Sequence, residues 1–166
     1  MTRIDPPTAA AERELLQGFL DFHRQTLLLK VSGLSGEDLV RRSAEPSSMS
    51  LLGLVRHLTE VEQYWFKTCL AGEVVPDRYW TAEHPDGDFD LVDPAEADGD
   101  LKTYADAVQE SDRIGARYAL DDTFRRPRRE GEYSVRWIYI HLIEEYARHN
   151  GHADLLRERI DGSTGE

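Results

Sequence analysis

From Ser134 to Gly162 the chain runs without a proline, and Ile138, Leu142, Leu156 and Ile160 recur at intervals that place them along one side of an α-helix. At about 1.5 Å per residue such a helix is close to 40 Å long. A rod of that length can bury its apolar stripe only against partners of comparable length. Three other segments have the periodicity to supply them. The first runs from about Ala9 to Val31, follows Pro6 and Pro7 and is closed by "SGLSG", with Leu15, Phe19, Phe22, Thr26 and Leu29 along one face. The second starts at Ser50, a good N-cap residue, and continues to about Leu70 before Gly72; its apolar face is Leu51, Leu54, Leu58, Val61 and Trp65. The third spans Pro94 to Leu120, with Leu101, Ala105 and Val108 inward and Asp112 on the same stripe. No segment shows strand alternation bounded by hairpin turns. The expected fold class is all-α, a four-helix bundle over residues 1–166 as one domain, with "GEVVPDRYWTAEHPDGDFDLVDP" as a long crossover connection.

Composition narrows the function. The net charge of −12 argues against nucleic-acid or anionic-membrane partners, because phosphate contacts need a basic surface. The one basic cluster, Arg125 to Arg129, is flanked by acidic residues and reads as a solvated loop. No apolar run reaches the roughly 18 residues of a membrane span, and "MTRIDPPTAAAERE" lacks the apolar core of a signal peptide, so a cytoplasmic location is expected. A single cysteine, Cys69, precludes an internal disulfide or a cysteine-rich zinc site and reads as a small core residue. Any metal must therefore be held by N and O ligands.

The last helix carries a contradiction. Glu145 and His149 fall in the middle of the stripe drawn by Ile138, Leu142, Leu156 and Ile160, with His152 beside them and His141 near the edge. A glutamate buried without partners costs several kcal/mol or takes up a proton. Three arrangements resolve this: a buried Glu–His pair or polar network, a metal-free acid/base pair, or a metal site built across the bundle. Residues at i and i+4 share a helix face, so Glu145 and His149 can converge on one ion. His57, bordering the face of Leu54, Leu58 and Val61, is the best source of a third ligand. The alternating acids of "DGDFD" lack the glycine and closing glutamate of a calcium loop.

The segments "SMSLLGLVRHLTEVEQYWF" and "SVRWIYIHLIEEYARHNGHADLLRERIDG", together with "FLDFHRQTLLLKVSGLSGEDLVRRS", resemble the DinB-like superfamily, in particular its actinobacterial "mini-circle" branch. The resemblance implies a four-helix bundle holding a divalent ion, zinc first and nickel second, through a histidine on the second helix and two residues one turn apart on the last. The mycothiol-dependent maleylpyruvate isomerases of the superfamily use His, Glu and His, which corresponds to His57, Glu145 and His149. Where other members have glutamine after a glycine, this chain has His152 after Gly151. The isomerases also carry a further C-terminal domain, whereas this chain ends shortly after the bundle. The function implied is thus a metal-dependent thiol S-transferase using a low-molecular-weight thiol such as mycothiol against an electrophile. The alternative is a non-catalytic metal-binding or structural bundle. His152, His141, Arg148 and Tyr64 are the expected surroundings of the ion and substrate, with Asp112 as an orienting partner for a ligand histidine. A homodimer is the expected assembly, by analogy with the superfamily.

Overall fold

The computed structural model describes residues 3–127 and 130–165. Its four long helical segments are α1 (Glu12–Val31), α3 (Leu51–Glu62) continued by a π-helical stretch over Gln63–Leu70, α5 (Ala97–Gly115) and α6 (Val135–Asp161). Short one-turn helices, α2 (Gly36–Leu39) and α4 (Gly87–Asp90), lie in the connections. The helices begin and end where local chemistry allows. The Ser50 hydroxyl accepts from the Gly53 N–H at 3.1 Å and that of Ser134 from the Trp137 N–H at 3.2 Å, capping α3 and α6. Gly162 closes α6 at φ 81°, a left-handed conformation that a side chain would oppose. Helix α1 packs mainly on α6, and α3 lies against α5 and α6, giving the expected all-α bundle.

Four sequence expectations need correction. A two-stranded antiparallel hairpin, β1 (Thr123–Arg125) with β2 (Glu132–Ser134), leads into α6 where no strand was expected; Phe124 pairs with Tyr133 and stacks on it. Three-residue strands are too short to display alternation. The third helix is shorter than Pro94 to Leu120, since Pro94–Glu96 form a 3-10 turn and α5 ends at Gly115. Its inward face is Ala97, Asp100, Tyr104, Ala107, Ser111 and Ile114, with Ala105 exposed and Leu101 and Val108 half-buried. On α1 the buried residues include Leu20, Arg24, Leu27 and Val31, whereas Phe19 is 46% exposed.

Both displaced faces have one cause, a polar network inside the bundle. Arg24 donates to the two carboxylate oxygens of fully buried Glu62 at 2.7 and 2.8 Å. The Tyr146 hydroxyl donates to the same carboxylate at 2.8 Å and lies 3.0 Å from the Tyr104 hydroxyl. Asp100 holds Arg56 at 2.5 Å and the Tyr79 hydroxyl at 2.7 Å. Because every partner is satisfied, these polar side chains occupy core positions that an apolar pattern assigns elsewhere. Around them Leu51, Leu54, Leu58, Ile138 and Leu142 are fully buried.

Candidate metal centre

The buried face of α6 is Val135, Ile138, Tyr139, Leu142, Tyr146, Asn150, Ala153 and Leu156. Its centre lies roughly 40° round the helix from the expected stripe at 100° per residue, because Tyr139, Tyr146 and Asn150 take part in it. Glu145 and His149 consequently sit at the flank of the core, half-buried, with side chains 19% and 13% exposed. That placement resolves the contradiction in the sequence: the carboxylate looks into an open cleft of about 1120 Å³ between α3, the crossover and α6. The cleft has an aromatic lining that includes Tyr64, Trp65, Phe89 and Trp137.

His57 on α3 completes a cluster with them. The ligand atoms of His57, Glu145 and His149 all lie within 4.8 Å of one another. Glu145 Oε2 is 3.4 Å from His149 Nε2 and 3.8 Å from His57 Nε2, and the two rings lie edge to face at 4.7 Å. His57 Nε2 is buried and makes no hydrogen bond. The neighbouring His149 and His57 rings hold the Glu145 carboxyl well below the usual carboxylate range, against the opposing effect of burial. Burial in turn disfavours the His57 imidazolium, but the Asp88 hydrogen bond and the nearby carboxylates of Asp88 and Glu145 outweigh it and raise the group to about 9.

The ring nitrogens that face away from the cluster also have partners. His57 Nδ1 is 3.0 Å from Asp88 Oδ2, so a proton on Nδ1 leaves the Nε2 lone pair directed at Glu145. Asp88 reaches this position from α4, which packs closely on α3 at Gly53: a Cβ there would come within 3.3 Å of the Phe89 Cα. His149 Nδ1 faces His152 Nδ1 at 3.4 Å. Burial and the neighbouring His149 lower His152, favouring its neutral form, whose Nδ1 can accept a hydrogen bond from His149 Nδ1–H. An imidazole–carboxylate–imidazole set with orphaned Nε2, carboxylate opposite, and both rings oriented from behind suits a divalent ion such as zinc or nickel.

The remaining candidates are placed as follows. His141 stacks on Trp137 at 4.6 Å and lies 3.7 Å from Glu145 Oε1, in the cleft wall; burial lowers its pKa despite Glu145 and Glu144. His141, Glu144 and Glu145 form a second close group, but all three belong to one helix and the exposed Glu144 is paired with Arg148. Tyr64 lines the cleft. Arg148, by contrast, is exposed outside it, because its position on α6 points further round toward solvent. Asp112 binds Arg24 at 2.8 Å and Gln17 at 3.1 Å, away from the cluster; Asp88 has the orienting role expected of it. The basic cluster is also not simply solvated. Arg125 is exposed beside Glu132, whereas Arg126 turns into the cleft; Arg128 and Arg129 lie outside the described residues. Cys69 is buried, and burial pushes its thiol up, away from nucleophilic character at neutral pH. No helix among the described residues is long and apolar enough to cross a membrane.

Sequence comparison adds an independent finding. A family model described as mycothiol S-transferase matches residues 15–162, which takes in the whole of the cluster. No curated protein matches the chain.

Proposed function

Because this chain belongs to the mycothiol S-transferase family, a DinB-like group, we propose that it joins a mycothiol-type thiol to an electrophile at a divalent metal held by His57, Glu145 and His149. The observation that carries this reading is the meeting of His57 Nε2, Glu145 Oε2 and His149 Nε2 at the wall of a ligand-sized cleft. Three protein ligands correspond to a catalytic rather than a structural arrangement. A divalent ion bound there supplies the positive charge that lets a thiol lose its proton near neutral pH.

The chain's own side chains do the rest. Asp88 and His152 fix the orientation of the two ligand rings. His141, held toward its neutral form, is placed to receive the thiol proton at Nε2 beside Glu145. Trp65, Trp137 and Phe89 exclude water from the cleft wall, which strengthens every charge interaction inside it.

The test is elemental analysis of the purified protein beside His149→Ala, followed by conjugation of mycothiol with a panel of electrophiles. One zinc or nickel per chain, lost in the variant, together with metal-dependent conjugation is the expected result. Metal without conjugation would leave a non-catalytic metal-binding bundle. No metal in either protein, even after incubation with zinc, would reduce Glu145 and His149 to a polar pair.

A further inference from the structure

The cleft wall carries a cation that the metal cluster does not use. Arg126 follows β1 and folds back over the π-helical stretch, its guanidinium 5.1 Å from the centroid of the Tyr64 ring and 4.9 Å from that of Trp65. Its Nε donates to the Tyr64 hydroxyl at 2.7 Å, and Tyr133 also engages it. Hydroxyls and ring faces hold this group in position, and none of them neutralises it. Among the described residues no carboxylate forms an ion pair with Arg126, although the protein as a whole carries a net charge of −12. Of the acidic residues that line the cleft, Asp77, Asp86 and Asp88 come from the crossover, Glu145 belongs to the cluster, and Glu60 on α3 accepts from the backbone N–H groups of Arg78, Tyr79 and Trp80. The cleft thus carries a fixed guanidinium beside its Tyr64–Trp65 wall that, among the described residues, none of these carboxylates pairs with.

The path from Arg126 to the cluster is aromatic. Trp65 lies beneath Arg126 and has ring neighbours Trp137 at 4.8 Å and His141 at 5.0 Å; His141 in turn reaches Glu145. Trp65 itself is buried beneath these groups, and the ring surface open to the cleft is that of Trp137 stacked on His141; a flat molecule lying along that pair would place one end toward the guanidinium and the other toward the cluster. We propose that Arg126 is an anion subsite, and that it selects electrophiles bearing a carboxylate on a flat, apolar body. This rests on the transferase reading above. The anion belongs to the electrophile, because a cysteine whose amine and carboxyl are both in amide linkage, as in mycothiol, has no charge other than at sulfur. An arginine fork matches a carboxylate in both charge and planar geometry. With a chloromethyl arene as substrate, the thiolate sulfur forms a C–S bond at the benzylic carbon while the C–Cl bond breaks and chloride leaves with the electron pair; the thiol proton, taken up by His141, passes on to solvent.

The experiment uses two matched pairs of probes on the zinc-loaded protein, Arg126→Ala and Arg126→Lys, with circular dichroism to verify folding. Unreactive 4-methylbenzoate and its methyl ester report binding through quenching of tryptophan fluorescence. With mycothiol, 4-(chloromethyl)benzoate and its methyl ester report turnover. The wild type is expected to bind the carboxylate about tenfold more tightly than the ester, the size of one charge-assisted hydrogen bond. Arg126→Ala should abolish this preference, and Arg126→Lys should keep part of it. Equal binding of the two, no saturable binding of either, or a preference that survives Arg126→Ala overturns the subsite. So does a preference removed by chelating zinc but not by the alanine variant, which would put the carboxylate on the ion. Failure of the two readings is distinguishable: an Arg126-dependent preference without any conjugation sinks the transferase and leaves the subsite, whereas conjugation of both chloromethyl compounds without a binding preference does the reverse.

Discussion

Replacing Asp88 by Asn tests the cluster from behind, and its effect on zinc affinity should depend on pH in a direction the geometry fixes. Asp88 acts on His57 in two ways through one 3.0 Å contact. It orients the ring and makes the ligand nitrogen more basic, and removing such a partner lowers metal affinity by about 10–100-fold. It also helps to raise His57 to about 9 in the metal-free protein, so that at pH 7 ligation must displace a proton bound about two pH units too tightly, a penalty of roughly a hundredfold in apparent affinity. The Asp88→Asn variant loses the first effect and relieves much of the second. At pH 7 the two changes oppose each other, and the variant should bind zinc less than about tenfold more weakly. At pH 9 proton competition has largely gone in the wild type as well, so the deficit should widen to the full 10–100-fold or so. Competition titration against a chromophoric chelator at both pH values measures this directly. A deficit equal at the two values, or larger at pH 7, would refute the linkage between Asp88, the proton and the ligand.

Other consequences can be checked on the same material. In the metal-free protein the raised pKa of His57 stabilises the fold fully below its unfolded value of about 6.5, and this contribution is lost as pH rises through about 9; the melting temperature should therefore fall over that window in the wild type and less so in His57→Gln. Glu62→Gln removes the only fully buried counter-charge of Arg24 among the described residues, leaving the part-exposed Asp21 and Asp112, and should cost about 3 kcal/mol in urea denaturation, whereas Arg24→Met with Glu62→Leu should cost less than either single change. Strict additivity of the pair would count against this network. Gly53→Ala drives a Cβ toward the Phe89 backbone and should destabilise by about 1–3 kcal/mol while weakening zinc binding, since α4 carries Asp88; an unchanged zinc titration would remove Gly53 from the account.

How much of this was legible in the sequence depended on whether the signal was local. Ser50, Ser134, Gly72 and Gly162 mark helix ends through contacts within a few residues, and all four stand where expected. The spacing of Glu145 and His149 is likewise local, and His57 could be added from its face of α3. Core positions were legible only where they are apolar. Arg24, Glu62, Asp100 and Ser111 are buried because partners on other helices satisfy them, and nothing in their own neighbourhood says so. Asp88 was missed for the same reason: its alternating acidic neighbours suggested only a calcium loop, whereas its partner lies 31 positions away on α3. Arg126 was hidden among adjacent arginines, and the hairpin that turns it inward is too short to announce itself.

The cluster also joins distant parts of the chain. His57 belongs to the second long helix and Glu145 to the last, with about 90 residues between them, so anything that bridges the two closes a loop of that length. A clip of this kind acts on the unfolded chain as well as on the folded one, removing conformations open to the free polymer in the way a long-range cross-link does. It also has an order in time. During synthesis the bridge cannot form until α6 has emerged from the ribosome, which is also when α1 gains its main packing partner. Closure of the bundle and closure of the bridge therefore wait on the same helix, the last to be made.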